Sequence, residues 1–245
     1  MKCWASILGD CSKGQSREHY LTKALYGGNV KARGLPWVKG GEEIELPINA
    51  MGANILCVRH NNQLSEVDAE AVRFKDFVAD AIGSVPDGKV RQAVSYGAVD
   101  GKKLIRWLCK TVSNLETLYK RSPDPAYVRR AFAAAGGESV NVYMNTIEPD
   151  NPSHFRWWRW DAKLKKGTVT QVYIIRFGVL EWLVAPTQLT QNQCDAIDRM
   201  SQYRCPFKAR PLMATRLVAI GPPLPDGSVK QTHQLTIKFP RRKRK

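Results

Sequence analysis

The chain has 245 residues, and its 38 Lys plus Arg against 22 Asp plus Glu give a formal charge of +16. That length allows one or two domains with their own cores, so disulfide staples are not needed. The six cysteines are not spaced as a secreted disulfide framework, and no segment approaches the length of an apolar membrane span. A reducing, cytoplasmic compartment and a polyanionic partner are therefore expected.

In chain order, the first sixty-odd residues carry the polar chemistry. Glu18-His19 sets a carboxylate beside an imidazole, and Asn54-Ile-Leu-Cys57-Val-Arg-His60-Asn61 follows downstream. Cys3 and Cys11 lie ahead of both. Thiolates with an imidazole suit a closed, tetrahedral zinc site. A carboxylate with an amide oxygen suits an open magnesium site that a substrate phosphate completes.

Ser65 to Asp68 has the form of a capping box, and Val67, Ala71, Phe74, Val78 and Ile82 follow at helical spacing. Gly83 to Gly88 should end that helix. The Gly-x-x-x-x-Gly-Lys pattern at 83–89 is not a P-loop, because Val90 stands where Ser or Thr is needed and Pro86 interrupts it. A second helix is predicted over about 102–120, with Leu104, Leu108, Val112, Leu115 and Leu118 on one face. Cys109 reads as a small core residue of that helix. A short helix over 126–135 closes at Gly136-Gly137.

Strands are then predicted over 140–147, 154–164, 169–177, 179–184, 213–220 and 231–239, with one helix opened by Thr190-Gln-Asn-Gln193. Arg and Trp interleave at 154–160, which could stack on unpaired bases. A strand selecting aromatics on both faces is the favoured reading. His154 and His233 read as surface residues, and Cys194 and Cys205 lack partners at ligand spacing. Residues 201–245 hold eleven basic residues against Asp226 alone and end in Arg241-Arg242-Lys243-Arg244-Lys245. Such an arm aids solubility, directs import or contacts phosphates.

The order of polar residues at 1–64 resembles the HNH endonucleases and their ββα-metal motif. His19 matches the first signature position, Asn54 the second and Asn61 the third, with Asn62 as an alternative to Asn61. Cys57 and His60 match the second half of a treble-clef zinc knuckle, with His in place of the usual Cys. The first half departs, since seven residues separate Cys3 from Cys11 where the family has two. Cys11 is the safer ligand. Cys3 requires residues 4–10 to loop out and return, and Asp10 is a possible substitute for it.

The resemblance covers about residues 1–64 and implies a zinc module there. The residues beyond it read as a helical segment over 65–137 and a mainly antiparallel sheet with a helix over 138–245, giving an α+β chain. The resemblance also implies a metal-dependent endonuclease acting on nucleic acid, DNA favoured. His19 would be the general base, Asn54 would buttress the loop, and Glu18 with Asn61 would hold Mg²⁺ or Mn²⁺. The structural zinc would sit on Cys3, Cys11, Cys57 and His60. Arg17, Lys23 and Arg241 to Lys245 are the expected nucleic-acid contacts. The competing expectation is a non-catalytic, zinc-stabilised nucleic-acid-binding protein.

Overall fold

The computed structural model describes residues 3–33, 35–39, 42–83, 100–132, 140–146, 154–163, 169–177, 180–186, 210–212, 220–223 and 229–231. Helices and sheets are mixed, as an α+β chain requires. A small antiparallel pair, β1 (Gln15–His19) with β4 (Gly52–Cys57), leads directly into helix α1 (Val58–Gly83). Between the two strands the chain makes a second hairpin, β2 (Asn29–Arg33) with β3 (Glu43–Pro47). β2 then pairs in parallel with β6 (His154–Lys163), with Lys31 opposite His154. Residues from the first fifty positions thus extend the C-terminal sheet.

That sheet has seven strands in the order β3-β2-β6-β7-β8-β5-β9. Here β5 is Asn141–Thr146, β7 is Val169–Phe177, β8 is Leu180–Ala185 and β9 is Arg210–Leu212. All its pairings except β2 with β6 are antiparallel. Val172, Tyr173, Ile174 and Ile175 of β7 are buried in succession, so both faces of this strand are covered. A further pair, β10 (Ile220–Pro223) with β11 (Val229–Gln231), lies near the C-terminus. The strands expected over 140–164 and 169–184 are present. The expected helix near 190–200, the Gly136-Gly137 boundary, residues 213–219 and 232–239 of the last two expected strands, and the basic tail lie outside the described residues.

Helix α1 starts earlier than the Ser65 capping box suggests. Ser65 lies inside it, with its hydroxyl donating to the Asn62 carbonyl at 2.8 Å. The actual start follows Cys57 at once, because the sulfur of Cys57 accepts from His60 N at 3.5 Å and Ser12 Oγ accepts from Arg59 N at 3.2 Å. These acceptors satisfy donors that a helix start leaves unpaired. The apolar stripe begins one turn upstream, at Leu64, and continues through Val67, Ala71 and Phe74.

Helix α2 (Gly101–Leu118) is capped by Asp100, whose carboxylate accepts from Lys102 N and Lys103 N at 2.8 and 3.3 Å. Its apolar face was legible, but the helix is buried all round from Leu104 to Leu118, charged residues included. Burial of charge is costly unless each group is paired. Arg106 donates to Glu66 and to the Ala131 carbonyl, and Glu116 pairs with Arg121 and Arg159. Cys109 is a fully buried core thiol, and burial pushes its pKa well up. Helix α3 (Pro125–Phe132) packs Tyr127 against Tyr173, with ring centroids 5.5 Å apart. Phe74 meets Trp182 at 5.5 Å and Tyr119 meets Trp157 at 4.7 Å. All three helices therefore rest on the sheet, and for Trp157 the packing role of the Trp-rich strand holds. No helix among the described residues is long and apolar enough to cross a membrane.

Candidate metal centre and its surroundings

Cys3, Cys11, Cys57 and His60 converge, with all four donor atoms within 4.8 Å of one another. The chain does loop out and return between the first two. Trp4 N donates to the Ile55 carbonyl at 3.0 Å, residues Ser6–Leu8 form a 3-10 turn, and Gly9 reverses the chain at a φ of 82°. Only glycine takes that left-handed conformation without strain.

His60 is fully buried, and its Nδ1 lies 3.4, 3.7 and 3.3 Å from the sulfurs of Cys3, Cys11 and Cys57. A tetrahedral zinc with Zn–S near 2.3 Å and Zn–N near 2.05 Å separates N from S by about 3.6 Å. The donor set and its spacing therefore fit a structural zinc.

Asp10 is not a ligand. Its Oδ1 lies 2.7 Å from His60 Nε2, on the side of the ring away from the sulfurs, and its Oδ2 pairs with Arg59 at 2.8 Å. A carboxylate on the far nitrogen fixes the tautomer that leaves Nδ1 free for metal. The bond to His60 and the charge of Arg59 hold Asp10 below its usual range. Burial works to raise the Cys57 thiol, but the His60 N–H and contacts to Ser12 outweigh it and bring the thiol down to about 6. Cys57 also sits at the N-terminus of α1, where a thiolate is favoured. Burial and the neighbouring Cys3 and Cys57 sulfurs push Cys11 up to about 12. Three crowded thiols of this kind lose their protons together only when a cation takes the centre.

The β1–β4 pair carries the remaining candidates. Its register passes from Ser16 opposite Leu56 to Arg17 opposite Asn54, leaving Ile55 as an extra residue. This bulge lets Ile55 and Leu56 both face the core. Ser16 and Glu18 share the face of β1 that meets the helices, and Arg17 and His19 take the other.

Asn61 Nδ2 donates to Ser16 Oγ at 2.8 Å, one strand repeat from Glu18. Glu18 itself is buried, with Lys110 Nζ 2.7 Å away and Asn114 Nδ2 at 3.4 Å. Lys110 Nζ also contacts Asp68 Oδ2, and Thr22 Oγ1 donates to Asp68 Oδ1 at 2.7 Å. Burial raises the pKa of Glu18 despite Lys110.

The His19 carbonyl accepts from Asn114 Nδ2 at 3.0 Å, and Trp4 Nε1 donates to Asn114 Oδ1 at 2.9 Å. The imidazole is half-buried, and its Nε2 is shielded with no hydrogen-bond partner. Burial lowers the His19 pKa, helped by the charges of Lys23 and Arg17 and opposed by a hydrogen bond with the Asn49 side chain. Asn54, Asn62 and Lys23 are exposed.

Sequence reasoning missed Lys110, Asp68 and Asn114. The signal was Trp107, Lys110 and Asn114 recurring at helical spacing, which marks one polar stripe on the amphipathic helix α2. Comparison with protein-family models, with curated proteins and with solved structures finds no match.

Proposed function

We propose that this chain is a metal-dependent endonuclease of the HNH type, hydrolysing phosphodiester bonds of nucleic acid, with DNA favoured. One observation carries the reading. The zinc-type cluster, the β1–β4 pair and the first turn of α1 form one contiguous unit, in which Asn61 bonds Ser16 two residues before Glu18. That is the order the HNH resemblance calls for.

In this mechanism His19 Nε2, shielded and without a partner in the free protein, takes a proton from the attacking water once substrate binding uncovers it. A lowered pKa keeps its imidazole neutral and able to accept at neutral pH. The Asn114 contact holds the His19 backbone in place. Asn54, opposite Arg17, borders the same hairpin. Glu18 and Asn61 are the residues that would hold Mg²⁺ or Mn²⁺, which neutralises charge on the phosphate and the leaving oxygen when bound. For Glu18 to serve, Lys110 must release it and remain with Asp68. The Cys3-Cys11-Cys57-His60 zinc is structural here, and its thiolates suit a reducing, cytoplasmic setting.

The Lys110–Glu18 pair favours a second reading, in which an internal ammonium fills the cation position permanently. The protein would then be a zinc-stabilised nucleic-acid-binding module without catalysis. Incubation of supercoiled plasmid with Mg²⁺ or Mn²⁺ separates the two. Nicking that His19→Ala abolishes, with zinc content unchanged, supports the nuclease. Binding without nicking under every divalent condition supports the module.

A further inference from the structure

We propose that Arg17 forms a phosphodiester clamp on the face of the β1–β4 pair that it shares with His19, and that Gly52 is the residue that shapes it. The clamp deepens the nuclease reading, since it would hold the diester beside His19, but it is tested by binding alone.

Strand alternation sends Arg17 and His19 to one face of β1, while Glu18 turns inward to Lys110. Arg17 is exposed yet anchored, because its Nη2 donates to the Asn49 carbonyl at 2.8 Å. The guanidinium lies over Gly52, the register partner of His19. A Cβ at Gly52 would stand 3.0 Å from Arg17 Nε and 3.3 Å from Nη2, in the space the guanidinium occupies.

A guanidinium carries five donors in a planar fork, and only Nη2 is committed to Asn49. The rest suits bidentate contact with phosphate oxygens. No ion pair of Arg17 is present among the described residues, so its charge is available to an anion.

The test uses the full zinc-loaded chain and a fluorescently labelled single-stranded oligothymidylate, without divalent ions, over a series of salt concentrations. Arg17→Ala should weaken binding about tenfold. It should also reduce the log–log salt slope by about 0.7, the value of one phosphate contact on a single strand. Gly52→Val should do the same, because a β-branched residue suits the strand yet displaces the guanidinium. The double variant should be no worse than Arg17→Ala, since both changes remove one contact.

Lys102→Ala, an exposed charge at the start of α2, should bind like the parent. Zinc content and circular dichroism confirm that each variant is folded, and Gly52→Ala replaces the valine variant if that one is not. Wild-type affinity in the glycine variant, additive losses in the double variant, or an equal loss in Lys102→Ala would each overturn the clamp. Binding that follows the expected pattern in a protein that never cleaves would keep the clamp and remove the nuclease reading.

Discussion

Lys110 Nζ lies 2.7 Å from Glu18 Oε1, with both side chains buried, and the same ammonium also contacts Asp68. One cation from α2 thus ties β1 to α1. Removing one partner of a buried pair leaves uncompensated charge behind. Lys110→Met should therefore lower stability by about 3–5 kcal/mol in urea unfolding. Adding Glu18→Gln should restore part of that loss, because one stranded carboxylate disappears. A double variant no more stable than Lys110→Met would show that Asp68, not Glu18, is the partner that matters.

The Asp10–His60 contact gives a separate prediction. One zinc per chain is expected by elemental analysis after purification without chelator. Asp10→Asn should retain that stoichiometry at saturating metal but bind zinc about 10–100-fold more weakly, as loss of an outer partner does. Cys57→Ser should instead lose the metal. Equal zinc affinity in Asp10→Asn and wild type would mean that the carboxylate contributes nothing to the imidazole.

What the sequence made legible follows from range. Cys57 and His60 are three residues apart across a strand-to-helix junction, so their pairing is local and readable. That residues 4–10 must loop out for Cys3 and Cys11 to meet was also readable, whereas the reversal at Gly9 comes from the structure. The partner of Glu18 lies 92 positions away on α2, and the Trp107-Lys110-Asn114 spacing does not say which strand that stripe meets. Helix α2 reads as amphipathic because its charged residues look like a solvated face. Only the packing of β1, α1 and α3 around it makes them interior. The pairing of β2 with β6 was hidden for the same reason, since a parallel partner can sit anywhere downstream.

Glu66 supplies a pH test away from the metal. Lys103 and Arg106 approach its carboxylate at 3.0 and 2.7 Å, and these hydrogen bonds lower its pKa in the folded state. Its contribution to stability is therefore complete above the unfolded value, about 4.3, and is lost as pH falls through the lower folded value. The side chain is 48% exposed, so solvent screens much of the effect. Urea midpoints of wild type and Glu66→Gln should differ at pH 7 and converge on acidification toward pH 3. A gap that stays constant across that range would mean that the pairing does not couple to folding.

Gly9 offers the sharpest test of how the knuckle is built. Its φ of 82° lies in the left-handed region, and a Cβ there would meet nothing within 4 Å. Any cost of substitution is therefore conformational rather than steric packing. Gly9→Ala should cost about 1–2 kcal/mol, the penalty of a left-handed conformation for an ordinary residue. Asn tolerates that conformation better, so Gly9→Asn should recover much of the loss. Because the turn brings Cys11 back to Cys3, the penalty should be read in zinc affinity as well as in unfolding. A chelator competition should rank wild type above Gly9→Asn and Gly9→Asn above Gly9→Ala. Equal affinities for all three would show that the four ligands, once metal is present, impose the turn without help from the glycine.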